Sequence, residues 1–436
     1  MFVNSLRTKI SPSGSPPAGA SEFCPGHVGM LVHSYYPGDS RVRREAEALA
    51  EAGYRVDIVC LRFGGGMPET AQAPWDKING VFVHRLRLAR KRGSAVRYFF
   101  EYASIIGMGM VKLAALHLAR PFDVVHVHNM PDFLVLAGIP FKWFGAKLVL
   151  DVHDPMPEIF ESMNPKQARG GAHRILAIQE SWSNRQADYV ITANEILAEN
   201  LIRKGLPAEK VATVNNFPDP KHFKPLQVLP PWPKTEKTLT LIYSGTITGH
   251  YQVDDIVHAV SLLVKEIPGI RLLLVGSGQS VAGILDLAAA LGIGDRVAHH
   301  HRVDLGTLRD LITSADVGVS THVGGPFGEL VFTQKLLDYM SLGLPVVANR
   351  ARASKHYIPE EAVYYYESGS PRELADQVLK MVRDPEQLRQ KREIGLKLCG
   401  GFSWTSEKKK LVSLYRKVTA GDGAWPAWKP ERNLKP

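Results

Sequence analysis

Residues 225–245 read PLQVLPPWPKTEKTLTLIYSG, and this stretch decides the fold. From 225 to 238 prolines alternate with charges, and proline cannot donate to a sheet ladder, so this part is no central strand. From 239 to 245, LTLIYSG is an apolar run that stops on a glycine, as a buried strand entering a turn does. The same grammar runs on both sides of the break. Upstream come VGMLVHS (28–34), YRVDIVCL (54–61), VFVHRLRL (81–88), DVVHVHN (123–129), KLVLDVHD (147–154), DYVITAN (188–194) and KVATVNN (210–216). Downstream come IRLLLVGSG (270–278), VAHHHRV (297–303), DVGVSTHV (316–323), LPVVAN (344–349) and AVYYYE (362–367). Helical patterns such as SRVRREAEALAEAGY separate them. Runs this apolar fit strands buried on both faces of a parallel sheet with right-handed crossovers. The expected fold class is α/β, two doubly wound domains facing one another: 27–224 and 239–401, joined by the linker 225–238. Ligands of such sheets sit beyond the carboxyl ends of the strands, so strand-end residues are the candidates.

Composition agrees with two domains. A chain of 436 residues with 45% hydrophobic content exceeds one ordinary core. Net charge is +10 and the pI near 9.3, which favours anionic partners: nucleic acid, phosphorylated small molecules or an acidic membrane face. No nucleic-acid recognition motif accompanies the charge, so nucleic acid is not expected as a partner. Cys24, Cys60 and Cys399 form neither a disulfide framework nor a zinc pattern, as in a reducing cytoplasm. Residues 1–26 lack a signal-peptide core and read as a disordered lead-in. YASIIGMGMVKLAALHLAR (102–120) follows the basic RLRLARKRGSAVRYFF (85–100). Two readings stay open: a core helix beside an exposed basic loop, or a pair lying on an anionic membrane surface.

The fragments SYYPGDSRVRREAEALAEAGYRVDIV, FDVVHVHNMPDFLV, LVLDVHDPMPEIF, ADYVITANEIL, VNNFPDPKHF, LIYSGTITGHYQVDDIVHAV, LLLVGSG and QKLLDYMSLGLPVVAN, in that order, carry a family likeness. Over most of residues 28–416 the chain resembles the retaining glycosyltransferases of family 4, which have the GT-B fold of two Rossmann-like domains, of the kind found in bacterial cell-surface polysaccharide biosynthesis. The resemblance implies a nucleotide-sugar donor, a UDP-sugar, held by the second domain. It implies a glycan or lipid-linked acceptor on the first, no metal and no cofactor. It also implies work in the cytoplasm, with peripheral contact at the inner face of the plasma membrane. A crossing helix is expected over 402–420, followed by a tail at 421–436. Two other readings of the fold stay open, a sugar-nucleotide epimerase and a non-catalytic binding subunit.

Within LVFTQKLLDYMSLGLPVVANR (330–350), Thr333 can cap a helix whose first amides suit a diphosphate. Lys335 adds a full charge there, and Asp338, one turn on, can accept from ribose hydroxyls. An exposed Lys–Asp pair is the structural alternative. By resemblance Asp338 takes the second place of the family's Glu-x7-Glu motif; the first falls on Leu330, with Glu329 beside it. In SGTITGHYQ (244–252), His250 stands where the family carries Arg or Lys, and Gln252 where it carries Gly. Gly245, Gly276 and Gly278 let backbone approach the nucleotide or make tight turns. In the first domain the resemblance implies that Gly38, Asp39 and Arg41 border the cleft, Asp39 toward a hydroxyl and Arg41 toward phosphate; the alternative is a capped amphipathic helix with a solvated basic face. His128 and Asn129 end a strand at the cleft. His153 and Asp154 match the family's His-Asp, with His153 expected to bond the transferred sugar or the acceptor. His299 and His301 share a strand face, but no carboxylate or cysteine nearby completes a metal site.

Overall fold

The computed structural model describes residues 24–63, 73–89, 95–167, 170–235, 237–421, 425 and 428–429. The expected lead-in lies almost entirely outside them, as does most of the tail. Eight strands form the first sheet: β1 (His27–Leu31), β2 (Arg55–Phe63), β3 (Trp75–Ile78), β4 (Val81–Ala89), β5 (Val124–His128), β6 (Lys147–Val152), β7 (Tyr189–Thr192) and β8 (Val211–Thr213). Their order is β3-β4-β2-β1-β5-β6-β7-β8. Six form the second: β9 (Leu239–Ser244), β10 (Ile270–Val275), β11 (Val297–His300), β12 (Val317–Ser320), β13 (Val346–Asn349) and β14 (Tyr364–Tyr366). Their order is β11-β10-β9-β12-β13-β14.

Every strand pair is parallel except β3 with β4. The apolar runs of the sequence do not include β3, because WDKI is an exposed antiparallel edge without an apolar face. Most of the runs read as strands are buried, β1 at all its positions, while the edge strand β11 has no buried position. The order reverses between β1 and β5 and between β9 and β12, so each sheet has one topological switch point, where a crevice opens beyond the strand ends.

The helices that frame those crevices are α1 (Ser40–Glu51), α2 (Ala95–Ala119), α3 (Met156–Met163), α4 (Gly171–Gln186), α5 (Glu195–Arg203), α6 (Gly325–Leu330), α7 (Gln334–Ser341), α8 (Arg352–Tyr357) and α9 (Trp404–Ala420). The two domains meet where α6 packs on α3 and α8 on α5. Leu330 is buried among N-terminal core residues, and its carbonyl accepts from the Asn194 amide at 2.9 Å. Tyr357 donates to Asn215 Oδ1 at 2.8 Å and accepts from the Glu195 amide, tying α8 to the first domain. The chain finally crosses back: α9 lies on α1, and its Leu411, Leu414, Tyr415 and Val418 join Val28, Met30 and Ile58 in the first domain's core.

Helix α2 corrects the reading as a core helix. Its Ile105 and Leu113 are fully buried, but Phe100, Met108, Val111 and Leu118 are exposed. It is anchored along one side only.

Candidate active site

The second domain's crevice begins at the end of β9. Gly245 and Gly276 have φ of 139° and 151°, open to glycine alone without strain. A Cβ on Gly276 would stand 1.8 Å from the Gly245 carbonyl oxygen, and one on Gly278 2.0 Å from that of Ile247. These glycines thus let the loops after β9 and β10 lie backbone against backbone. Gln252 sits in the left-handed region at φ 41°, which explains glycine as the family's usual residue there. Its side chain is held by the Ser368 hydroxyl at 2.6 Å.

Lys335 projects from the first turn of α7 into this crevice. Its Nζ lies 4.1 Å from the ring centre of Tyr243 and 4.9 Å from that of Tyr251. A Cβ on Gly245 would meet it at 3.2 Å. Among the described residues this ammonium is buried and has no hydrogen-bond partner. Burial pushes its pKa down to about 7, against the opposing pull of Asp338. Asp338 is buried as well, and burial lifts its carboxyl to about 7 although Gln334, Arg44 and Lys335 oppose this. Gln334 Nε2 donates to Asp338 at 3.2 Å, and Arg44 of the first domain donates to Gln334 Oε1 at 3.1 Å. The relay Arg44, Gln334, Asp338 crosses the interface.

One expectation changes here. Thr333 stands at the N-cap of α7 but makes no capping hydrogen bond; its hydroxyl pairs with that of Ser320 at 2.9 Å. The Leu336 amide donates to the Thr333 carbonyl at 3.3 Å, and those of Gln334 and Lys335 are left for another acceptor. Leu336, Leu337 and Met340 do face the core. His250 is half-buried, its Nδ1 without a partner; burial lowers its pKa while Asp154, facing it from the other domain, raises it. A neutral imidazole replaces the cation of the family pattern. Glu329 accepts from the Arg352 amide at 2.8 Å.

In the first domain Asp151 is the hub. Arg41 donates to both its oxygens, at 2.8 and 2.6 Å, and to the Val214 carbonyl at 2.8 Å. His128 Nδ1 lies 3.0 Å and His153 Nδ1 3.3 Å from Asp151 Oδ2. Burial favours the neutral acid, but Arg41 and these bonds keep Asp151 well below the usual carboxylate range. The expectation that Arg41 faces phosphate is thereby corrected: its guanidinium is turned inward and used up. Asp39, expected to meet a hydroxyl, accepts from the amides of Arg41 and Val42 as the N-cap of α1. Gly38 faces the second domain, its carbonyl accepting from Arg302.

His153 keeps its place at the cleft. Burial disfavours its charge, yet the Asp151 hydrogen bond and charge outweigh that and raise it to about 9, so it is an imidazolium at neutral pH. Its Nε2 lies 3.9 Å from Asp154. Asn129 clamps this turn: Oδ1 accepts from the His153 and Asp154 amides at 3.1 and 3.4 Å, and Nδ2 donates to the Asp154 carbonyl at 2.7 Å. Asn129 thus orients the pair from behind.

Sequence reasoning missed Asp151, Glu45, His126 and Tyr415. The ligand atoms of Glu45, His126, His128 and Asp151 lie within 4.8 Å of one another. Arg41 supplies a cation to both carboxylates, 3.1 Å from Glu45 and 2.6 Å from Asp151. His126 Nδ1 pairs with the Tyr415 hydroxyl at 2.6 Å. The signal for Asp151 was a charge inside a strand buried on both faces, which requires a partner. His299 bonds the Gly276 carbonyl oxygen at 2.9 Å and packs edge-on to His301.

Residues 39–216 match the family model described as a glycosyl transferase 4-like domain, and residues 229–397 that of glycosyl transferases group 1. The D-inositol 3-phosphate glycosyltransferase of Thermobifida fusca is 24% identical over 393 residues, 85% of this chain and 86% of that protein. An uncharacterized glycosyltransferase, MJ1607, of Methanocaldococcus jannaschii is 24% identical over 331 residues, 72% and 77% of the two chains. Among solved structures, a sucrose-phosphate synthase from Thermosynechococcus elongatus superposes with a TM-score of 0.71 at 18% identity, covering 91% of this chain and all of that one. Anabaena Alr3699/HepE in complex with UDP-glucose gives 0.66 at 16% identity, covering 89% and 98%. At these identities the structures speak for the fold alone.

Proposed function

The chain belongs to the glycosyltransferases of the GT-B type, and from that premise we propose that it moves a sugar from a UDP-sugar to a glycan or lipid-linked acceptor with retention of anomeric configuration, at the cytoplasmic side of the membrane. The observation that carries the reading is the buried, unpaired Lys335 ammonium on two tyrosine faces beside the Gly245 turn. A charge held without a counter-ion is costly, and a diphosphate supplies the missing one. The Anabaena neighbour, bound to UDP-glucose, UDP or UDP with glucose, supports UDP as the carrier.

In this mechanism the diphosphate sits against Lys335 and the Gln334 and Lys335 amides, and Asp338 accepts from the ribose hydroxyls. The acceptor hydroxyl attacks the anomeric carbon from the side on which the diphosphate leaves. The bond to the leaving oxygen breaks as the new glycosidic bond forms, and the acceptor's proton passes to a leaving phosphate oxygen. No protein nucleophile is required. Lys335 stabilises the charge that develops on the leaving group. His153, held by Asp151 and Asn129, donates from Nε2 to an oxygen of the transferred sugar or acceptor, and contact between the domains keeps water out.

A thermal-shift panel of UDP, GDP and ADP with their sugars tests the reading. Stabilisation by UDP compounds that is lost in Asp338→Ala is expected. A flat panel on folded protein would favour the non-catalytic subunit. Product NMR then reads the anomeric configuration, and inversion would refute the retaining step.

A further inference from the structure

Residues 226–231 of the linker and the helix Pro385–Cys399 face one another across a cleft of about 710 Å³, a size that suits a small molecule. On the linker side only Gln227 interrupts an apolar wall, and Leu396 faces that wall from the helix. Val228 is 80% exposed and Leu226 38%, so the wall is open to an occupant. Both sides of the cleft belong to connections between the domains. The linker runs into β9, and the helix runs on through 400–403 into α9, which packs on the first domain.

The charges of the cleft do not balance. Arg389, Arg392, Glu393 and Lys397 line its helix side, and Arg389 and Glu393 pair with one another at 2.5 Å. Arg392 is buried, only 7% exposed. Its Nε donates to the Gly343 carbonyl and its Nη2 to the Pro230 carbonyl, each at 2.8 Å, which clasps the linker to the turn after α7. Its Nη1 finds no partner, and no carboxylate pairs with it, among the described residues. Burial alone lowers its pKa, with no neighbouring charge to oppose it. Two carbonyls satisfy part of a five-donor guanidinium but do not neutralise it. A buried cation without a counter-ion is costly, and an anion in the cleft would supply one. Lys397, exposed at the rim, likewise has no carboxylate partner among the described residues.

We infer that this cleft binds a small amphipathic anion, an oxyanion carried on an apolar body, with the oxyanion on Arg392 Nη1 and Lys397 and the body against Val228, Pro230 and Leu396. Such an occupant touches the linker and the helix together, and so splints both chain connections about which the domains would move. A wholly apolar occupant fits less well, since it would leave the Arg392 charge unanswered. The cleft shares no lining residue with the donor crevice, so the inference does not rest on the sugar-transfer reading.

The test is titration calorimetry of the full chain with octanoate and octyl phosphate, each below its micelle concentration, alongside octanol and inorganic phosphate. At least one amphiphile should bind about tenfold or more tighter than octanol and inorganic phosphate. The tighter of the two names the oxyanion. Arg392→Met should abolish binding, but it also cuts the bonds to Gly343 and Pro230. Val228→Asp is therefore the decisive variant: the residue is exposed, the clasp stays intact, and the new carboxylate repels the anion. It should weaken binding about tenfold or more while its Tm and its UDP-induced shift match wild type. Absence of binding by both amphiphiles, equal binding of octanol or of inorganic phosphate, or undiminished binding by Val228→Asp would each overturn the inference. Amphiphile binding together with a flat nucleotide panel would sink the functional reading and leave the cleft site standing.

Discussion

Replacing Lys335 by Met should stabilise the empty protein and weaken the liganded one. The ammonium has lost its hydration without gaining a hydrogen bond, and its pKa has fallen from 10.5 to about 7. Linkage converts a fall of this size into a cost of roughly 2–4 kcal/mol at neutral pH, allowing for relaxation around the neighbouring Asp338. The sign follows from proton counts. Between about pH 7 and 10.5 the unfolded chain holds a proton on this lysine that the folded chain has released, so wild-type stability rises with pH through that window. The advantage of Lys335→Met in Tm is therefore largest at and below neutrality and fades toward pH 10.5. A bound diphosphate reverses the order, because loss of a charge-assisted bond of about 1.5–3 kcal/mol should raise the Kd for UDP roughly tenfold to a hundredfold. Binding should also draw in protons. At about pH 8 the free lysine is about one-tenth protonated, so engagement as ammonium takes up close to 0.9 proton. Titration calorimetry in two buffers of different ionisation enthalpy measures this directly. If wild type and Lys335→Met showed the same proton uptake, or the variant lowered the Tm of the empty protein, the assignment of the diphosphate to this ammonium would fail.

Three further outcomes follow from the geometry. Asp151→Asn takes from the buried Arg41 the carboxylate it grips with two hydrogen bonds, leaving it Glu45 at 3.1 Å, and should cost up to about 3–5 kcal/mol, seen as a lower Tm; where the variant still folds, the loss of protonated His153 should move the alkaline limb of kcat to lower pH. Gly278→Ala forces a methyl group toward the Ile247 carbonyl, 2.0 Å away. It should lose more than about 1 kcal/mol in urea unfolding and weaken UDP binding together with it. Gln334→Ala cuts the relay from Arg44 to Asp338, and should raise the donor KM while leaving the acceptor KM alone.

Much of the fold was legible because both sheets are parallel and covered, so their strands read as apolar runs; β3 was not, since an exposed edge carries no such mark. The site was legible where one segment held its own chemistry. Lys335 and Asp338 stand on a single turn, and His153 and Asp154 at one strand end. It was illegible where function depends on partners far apart. Arg41 meets Asp151 across 110 positions, so an arginine near the cleft looked like a phosphate ligand and is a buried counter-ion. Tyr243 reads as strand filling, yet its ring is a seat for Lys335. The pairing of Asp39 with its own helix was the local alternative, and local hydrogen bonds form readily in an Asx turn.

The returning helix α9 bears on how the protein is made. The first domain's sheet leaves the ribosome long before the segment that supplies Leu411, Leu414 and Tyr415 to its core, so its nascent form must persist with that flank uncovered until synthesis reaches the last helix. A chaperone footprint on this flank is expected during translation. Exchange of the first domain between relatives should succeed only when the terminal helix travels with it, because inheritance here follows the packed unit and not the order of the gene.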